Sequence, residues 1–238
     1  MLSNTSETTC LQCGTTGNGN YCSNCGQSLQ LKRLTIATML HEVFHFFTHL
    51  DKGFPYTLKR LLTAPGKMQK EYIEGHRGKY QKPFSMFFIC GSLTAFALYL
   101  IHKPTGHHTH FHEVQSEFTR HYYVLLQATL LPFYALVTWL LFRNSRINYA
   151  ESLVFFTYTI SFMLLIVILT NLVDLFPHKD IASAYFEIPL LFVYILWTNK
   201  NFFTEEPTWR LILKSFVNIC IGYFVSNYSA DLIVHSLV

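Results

Sequence analysis

The chain has few charged residues and lacks the motifs of the common catalytic sites. Only 13% of its 238 residues are charged, about half the share found in an average soluble domain. It contains no glycine-rich phosphate loop, no nucleophile elbow and no carboxylate pair. The first ten residues also lack the basic and apolar regions of a secretory signal. The N-terminus is therefore expected to stay in the compartment where it is made.

What the chain has in abundance is apolar sequence, which makes up 50% of its residues. From Pro83 onward, stretches long enough to cross a bilayer recur between short polar loops. The five predicted spans are 83–101, 122–142, 152–173, 185–198 and 211–235. Span 185–198 is short and is interrupted by Glu187 and Pro189, so it is predicted to cross fully only with help from its flanks. The pattern predicts an all-α integral membrane helix bundle of about five transmembrane helices.

The distribution of Lys and Arg predicts the orientation of the bundle. Residues 1–82 hold ten of these residues, and loops 143–151 and 199–214 hold two and three. Loops 102–121 and 174–184 hold two and one. Because basic loops stay on the cytoplasmic side, the N-terminus is predicted to be cytoplasmic. With five crossings the C-terminus lies outside.

Four of the six cysteines form a metal-binding pattern near the N-terminus. Cys10, Cys13, Cys22 and Cys25 read C-x2-C-x8-C-x2-C, and a glycine follows each pair. Two such turns place four thiolates around one ion. The alternatives are a pair of disulfides or a redox motif. The spacing favours one structural Zn²⁺ in a small zinc ribbon over residues 1–30, because four protein ligands leave no open position for a substrate.

Residues 34–50 have the periodicity of an amphipathic helix with a histidine-rich polar face. It is too short and too polar for a span and is expected to lie in the membrane interface or against the bundle. The helix contains His41, Glu42 and His45 in an HExxH arrangement, which in metallopeptidases binds catalytic zinc. Thr48 stands where the extended motif has glycine. A membrane-bound zinc metallopeptidase is therefore an alternative rather than the leading interpretation.

Residues 52–82 carry eight Lys or Arg residues with interleaved aromatics. This composition predicts a juxtamembrane linker held to anionic lipid headgroups, and nucleic-acid binding is the weaker alternative. Together with the preceding helix it forms the middle domain, 31–82, between the ribbon and the transmembrane domain, 83–238.

The loop 102–121 holds six histidines and two glutamates. Imidazoles at this density bind zinc, copper or nickel, so a metal-handling transporter or sensor is a further alternative. The competing interpretation is a solvated loop without metal. Polar residues inside the spans, such as Asn171, Asn218 and Asn227, either join helices by hydrogen bonds or line a polar path.

Several motifs together resemble an uncharacterised bacterial family, known only as a domain of unknown function. They are C-L-Q-C-G…Y-C-S-N-C-G-Q, L-H-E-V-F-H…H-L-D-K-G-F, T-L-K-R-L-L-T-A-P-G-K…E-Y-I-E-G-H-R-G-K-Y-Q-K-P-F and N-Y-A-E-S-L-V-F. The resemblance implies an N-terminal four-cysteine zinc ribbon followed by several membrane helices, and it supplies no activity. It implies that His41 and the histidine loop are not part of the family pattern.

The resemblance also implies a shared element in the linker. Its members are Asp51, Lys52, Gly53, Pro65, Gly66, Glu71, Glu74, Gly75, Arg77 and Pro83. A short helix is predicted to start at Pro65 and Gly66, with Glu74 and Arg77 paired three residues apart. Asp51, Lys52, Glu71, Glu74 and Arg77 then form a candidate charge cluster at the cytoplasmic mouth of the bundle.

The leading hypothesis is a non-enzymatic multi-pass membrane protein that serves transport, sensing or scaffolding. Its expected partners are the lipid bilayer, anionic headgroups along 52–82 and a protein at the zinc ribbon. The transported or sensed species and the oligomeric state are not encoded in any motif.

Overall fold

The computed structural model describes residues 8–29, 33–39, 53–101, 111–172 and 184–237. The N-terminal unit contains the antiparallel strands β1 (Thr8–Thr9) and β2 (Thr16–Gly17). The linker contains two short helices, α1 (Phe54–Thr63) and α2 (Lys67–Ile73). The bundle consists of α3 (Pro83–Ile101), α4 (Phe111–Leu141), α5 (Tyr149–Asn171), α6 (Ala184–Phe202) and α7 (Thr208–Leu237). It is an all-helical bundle with a cysteine cluster at its N-terminal end, as predicted.

Helix α5 is the centre of the bundle. Asn148 caps it, accepting a hydrogen bond from the Glu151 backbone N–H at 2.8 Å, while the Glu151 side chain accepts from the Asn148 N–H at 2.9 Å. Every residue in 150–161 is buried, because α3, α4, α6 and both linker helices pack around this half of the helix. The largely apolar sequence of α5 fits burial on all sides.

Four of the described helices are long and apolar enough to cross a membrane. These candidate spans are Pro83–Ile101, Tyr122–Leu141, Tyr149–Asn171 and Thr208–Ile233. They agree with four of the five predicted spans within a few residues. Helix α6 covers the doubtful fifth prediction, 185–198, and is longer than expected at 19 residues. It is not among the four helices that are long and apolar enough, and it carries Glu187, Asn199, Lys200 and Asn201 near its ends.

Helix α6 nevertheless runs antiparallel to α5 along nearly its full length. Near its start, Glu187 accepts a hydrogen bond from Asn171 Nδ2 at 3.3 Å. Halfway along, the Tyr194 ring stacks on Phe162 with centroids 4.7 Å apart. At its end, the Phe202 ring lies 4.5 Å from that of Phe155. Helix α6 therefore begins level with the end of α5, a full candidate span, and ends level with Phe155, about 9 Å along the axis from the start of α5.

Three predictions about polar segments need correction. Helix α1 was not predicted, although it contributes the fully buried Thr57 and Leu61. The short linker helix begins at Lys67, with Gly66 as its N-cap, rather than at Pro65. Part of the predicted loop 102–121 is helical, because α4 begins at Phe111.

Most of the buried polar groups in the bundle join neighbouring helices. Asn218 Nδ2 donates to Thr138 Oγ1 at 2.9 Å, linking α7 to α4. Asn199 Nδ2 donates to Ser215 Oγ at 2.8 Å, linking α6 to α7. Thr94 Oγ1 donates to the backbone carbonyl of Leu164 at 3.1 Å. These contacts favour helix-to-helix hydrogen bonding over a polar path.

Candidate metal centre and its docking surface

The metal centre is built from two similar turns. In each, the glycine after the second cysteine donates its N–H to the first cysteine's carbonyl, Gly14 to Cys10 at 2.8 Å and Gly26 to Cys22 at 2.9 Å. Both glycines have positive φ, 75° and 72°, a conformation that side chains disfavour. Each turn therefore requires the C-x-x-C-G pattern that the sequence contains.

The two turns bring four thiols together. The Sγ atoms of Cys10, Cys13, Cys22 and Cys25 all lie within 4.8 Å of one another. The Cys10–Cys25 and Cys13–Cys22 Sγ distances are both 3.5 Å, too long for a disulfide bond. In a tetrahedral site with Zn–S bonds of about 2.3 Å, neighbouring sulfurs lie roughly 3.8 Å apart. The four thiols are close enough to hold one metal ion, and their spacing fits a tetrahedral set.

The surroundings of the thiols differ. Cys10 and Cys22 are buried, whereas Cys13 and Cys25 are exposed. Hydrogen bonding to the side chain and backbone of Thr15 lowers the pKa of Cys13 to about 6. The pKa of Cys25 is raised instead, because the lowering effect of the Gln27 backbone is outweighed by desolvation and by hydrogen bonds to the other three thiols.

The ribbon contacts the linker through two glutamines that flank the cysteines. Gln27 Nε2 donates to the backbone carbonyl of Gly75 at 3.2 Å. A Cβ added to Gly78 would lie 2.4 Å from Gln27 Oε1 and 3.6 Å from the amide carbon of Gln12. The turn around Gly75 and Gly78 is therefore the surface against which the ribbon packs.

A second attachment joins residues 33–39 to the turn between α4 and α5. Arg33 Nε donates to Glu151 Oε1 at 2.7 Å, and Arg33 Nη2 donates to Glu151 Oε2 at 3.2 Å. Asn148 Nδ2 donates to the backbone carbonyl of Leu34 at 3.1 Å. Leu34 and Met39 are buried in the main core. This segment thus packs against the bundle, one of the two places predicted for helix 34–50.

The Arg33–Glu151 pair is asymmetric in its burial. The Glu151 side chain is 8% exposed, whereas that of Arg33 is 64% exposed. The hydrogen bond to Glu151 and its negative charge raise the pKa of Arg33. Arg33 balances the negative charge of the Glu151 carboxylate, which would otherwise be nearly buried at the start of α5 without a cation beside it.

The charges of the linker centre on Glu71 of α2. Its carboxylate accepts from Arg60 Nη2 of α1 at 2.6 Å and from the Tyr80 hydroxyl, and Lys79 Nζ lies 4.0 Å away. The predicted pair of Glu74 and Arg77 is not among the ion pairs of the described residues. The prediction was wrong. The ion pair forms instead between Arg60 of α1 and Glu71, a tertiary contact that the three-residue spacing of Glu74 and Arg77 does not indicate.

Arg77 and Tyr80 have other contacts. Arg77 Nε donates to the Tyr72 backbone carbonyl at 3.2 Å, and the guanidinium lies 5.7 Å from the Tyr72 ring centroid. Burial and the hydrogen bond to Glu71 raise the pKa of Tyr80. Burial disfavours the charged form of Arg60, but hydrogen bonding to Tyr80 and the Glu71 charge raise its pKa overall. The contacts of Glu71 with Arg60 and Tyr80 thus hold α1, α2 and the segment before α3 together.

Several predicted site residues lie outside the described residues. They are His41, Glu42 and His45 of the HExxH motif, and Asp51 and Lys52 of the charge cluster. Residues 102–110 of the histidine loop also lie outside them. The metallopeptidase and metal-handling interpretations therefore gain no support from the structure.

The sequence interpretation missed the residues that attach the ribbon. Gln12, Gln27 and Arg33 were not singled out. The partner of Gln27 lies 48 positions away along the chain and the carboxylate partner of Arg33 lies 118 positions away, so no local pattern marks them. Glu151 had a local signal. It follows Asn148 by three residues before an apolar run, the pattern of a helix-capping box.

Comparison with known proteins adds one match. Residues 51–95 match the model of a family described as a protein of unknown function (DUF3667), in agreement with the resemblance seen in the linker motifs. The matched segment covers α1, α2, the charge cluster and the first part of α3. No curated protein and no solved structure matches the chain.

Proposed function

We propose that this protein is a membrane scaffold that displays a structural zinc ribbon on the cytoplasmic face of a bacterial inner membrane. The observation that supports this most strongly is the double attachment of the N-terminal unit, by Gln27 to the Gly75 carbonyl and by Arg33 to Glu151. A ribbon held in this way has a fixed position relative to the helices.

Zinc is the proposed metal because of the ligand set. Four thiolates in a tetrahedral arrangement suit Zn²⁺ better than the hard cations, which prefer oxygen. The four cysteines would occupy all four coordination positions, so the ion would cross-link the two turns and offer no site for a substrate. We assign it a structural role, and we do not assign an enzymatic one.

The proposed orientation of the bundle in the membrane depends on which helix ends lie at the same end of the bundle. The end of α4 meets the end of α6, since Phe142 stacks on Phe203 with centroids 3.9 Å apart. Gly66 of the linker packs against the last turn of α6 at Thr198. The ribbon, the linker and both short turns therefore share one end of the bundle. This end carries most of the Lys and Arg residues, which favours the cytoplasm, and the antiparallel course of α6 supports a fifth crossing.

The polar groups inside the bundle favour scaffolding over transport, because they hydrogen-bond from one helix to another. Asn218, Asn199 and Thr94 hydrogen-bond to neighbouring helices. Such groups stabilise one packing arrangement rather than remaining available for a solute.

A photo-crosslinking experiment in living cells tests the scaffold role. Tyr21 on the ribbon is 70% exposed, so the larger aromatic crosslinker benzoylphenylalanine can replace it and extend into solvent. The same replacement at Tyr228 of α7, which is also 70% exposed, is the matched control in the lipid-facing part of the bundle.

The expected result is one discrete protein adduct from position 21, absent from position 228. The adduct should disappear in a Cys22→Ser background, because loss of the metal unfolds the displaying surface. Zinc-loaded protein that gives no protein adduct from position 21, or from the neighbouring exposed Leu11, would overturn the scaffold proposal.

A further inference from the structure

The linker helices lie deeper along the bundle than a surface linker would. Gln69 of α2 donates its Nε2 to Thr159 Oγ1 of α5 at 3.2 Å. The rings of Tyr72 and Tyr158 pack edge to face with centroids 5.3 Å apart. Thr159 is ten residues from the start of α5 at Tyr149, about 15 Å along the axis at 1.5 Å per residue.

Contacts with α6 also lie away from the end of that helix. The Tyr194 hydroxyl donates to the backbone carbonyl of Leu61 at 3.4 Å. Tyr194 lies eight residues before the end of α6 at Phe202, about 12 Å along the axis. The headgroup zone on each side of a bilayer is only about 5–8 Å thick. Counted from the nearer ends of α5 and α6, these contacts of α1 and α2 therefore lie farther along the bundle than one headgroup zone is thick.

These two helices carry both cationic and apolar exposed side chains. Lys67 and Lys70 are exposed and lie three residues apart on one face of α2. Neither forms an ion pair with any residue that the structure describes. On α1, Leu62 is 57% exposed and Tyr56 is 41% exposed. Residues 53–82 contain seven Lys or Arg residues and two Glu, so the net charge is positive.

The depth of this face decides which anion can reach it. A soluble acidic protein or a nucleic acid would have to displace the headgroups, whereas a phospholipid already occupies the leaflet at this level. Lysine amines near the acyl boundary extend toward phosphate groups, and the exposed Leu62 and Tyr56 suit contact with hydrocarbon.

We propose that Lys67 and Lys70 bind the phosphate of an anionic phospholipid in the cytoplasmic leaflet. The lipid fastens the α1–α2 pair against α5 and α6 at a site where protein alone leaves two lysines without counter-ions. This proposal requires the membrane embedding of the bundle, but it does not depend on zinc or on the scaffold role.

The test measures binding of phosphatidylglycerol to the full-length protein by native mass spectrometry. The variant Lys67→Gln/Lys70→Gln is compared with Arg143→Gln/Lys200→Gln, which also removes two exposed cations from this end of the bundle. Each lysine near an anionic surface contributes about 1 kcal/mol, which is roughly a fivefold change in affinity. The linker variant should bind about 25-fold more weakly, and the control variant should bind like the wild type.

Two further arms make the outcome decisive. Soluble glycerol phosphate at millimolar concentration should not displace the lipid, and displacement would show a site for free phosphate instead. Equal weakening in both variants would show non-specific attraction and would overturn the proposal. Because both lysines are exposed, unchanged melting temperatures are expected and would separate lost binding from lost folding.

Discussion

Replacing Gly78 by alanine should release the zinc ribbon from the linker without unfolding the bundle. The added Cβ would lie 2.4 Å from Gln27 Oε1, so the glutamine amide must move away. Gly78 is not among the glycines with positive φ, and alanine therefore introduces no backbone strain there. The main loss is the hydrogen bond from Gln27 Nε2 to the Gly75 carbonyl.

The size of the effect follows from that bond. A net contribution of about 1 kcal/mol corresponds to a roughly fivefold increase in the population of the undocked ribbon. Hydrogen–deuterium exchange at residues 75–80 reports this population, because Gln27 and Gln12 pack against this turn when the ribbon is docked. Exchange should accelerate about fivefold in Gly78→Ala and to a similar extent in Gln27→Ala.

The double variant provides the refutation. If both substitutions remove the same contact, together they should accelerate exchange little more than either does alone. Gly222→Ala is the matched control, since its Cβ would make only ordinary contacts at 3.7 and 4.0 Å with the Tyr134 ring. Wild-type exchange in zinc-loaded Gly78→Ala, or strictly additive effects in the double variant, would refute this reasoning.

Three further predictions concern the bundle. Gly66→Ala should lower the free energy of unfolding by about 3 kcal/mol, because φ is +81° and the Cβ would lie 2.3 Å from the Thr198 carbonyl oxygen; a wild-type melting temperature in detergent would contradict this. Arg33→Gln should cost about 2 kcal/mol and Glu151→Gln less, because only the carboxylate is nearly buried; chemical denaturation measures both, and the reverse order would count against the account. A fluorescent protein that folds only in the cytoplasm should fluoresce at the N-terminus and stay dark when fused after Val238; fluorescence at both ends would exclude five crossings.

The parts predicted best are those whose physics is local. A helix of about twenty apolar residues matches the thickness of a bilayer, so its length and composition alone indicate a span. Helix α3 accordingly occupies the predicted residues 83–101. The C-x-x-C-G spacing fixes each metal-binding turn through the glycine that ends it. Neither conclusion needs knowledge of what lies elsewhere in the chain.

The linker was predicted less well because its buried face is small and partly polar. Thr57, Gln69 and Gln81 are fully buried, although their sequence context is strongly basic. Gln69 donates to Thr159 and Thr57 accepts from the backbone N–H of Gln81, whereas the Gln81 side chain donates to the nearby Ser85. A contact across 90 positions leaves no local pattern. The same reason explains why Glu71, and not Glu74, has the ion pair.

The extent of α4 was missed for a different reason. Residues 111–121 contain two histidines and three charged residues, and this polarity was interpreted as a loop. Polar residues continue a helix readily once a span has nucleated it, since they have adequate helix propensity. Hydropathy locates the apolar part of a membrane helix and does not locate its end.

The metal content of the purified full-length protein tests the central claim most directly. We predict one zinc per chain, lost in Cys22→Ser and retained in His45→Ala and in a variant lacking residues 107–112. A second equivalent of metal that disappears in either of the latter two variants would contradict a single structural site. The same is true of a wild-type protein that contains no zinc.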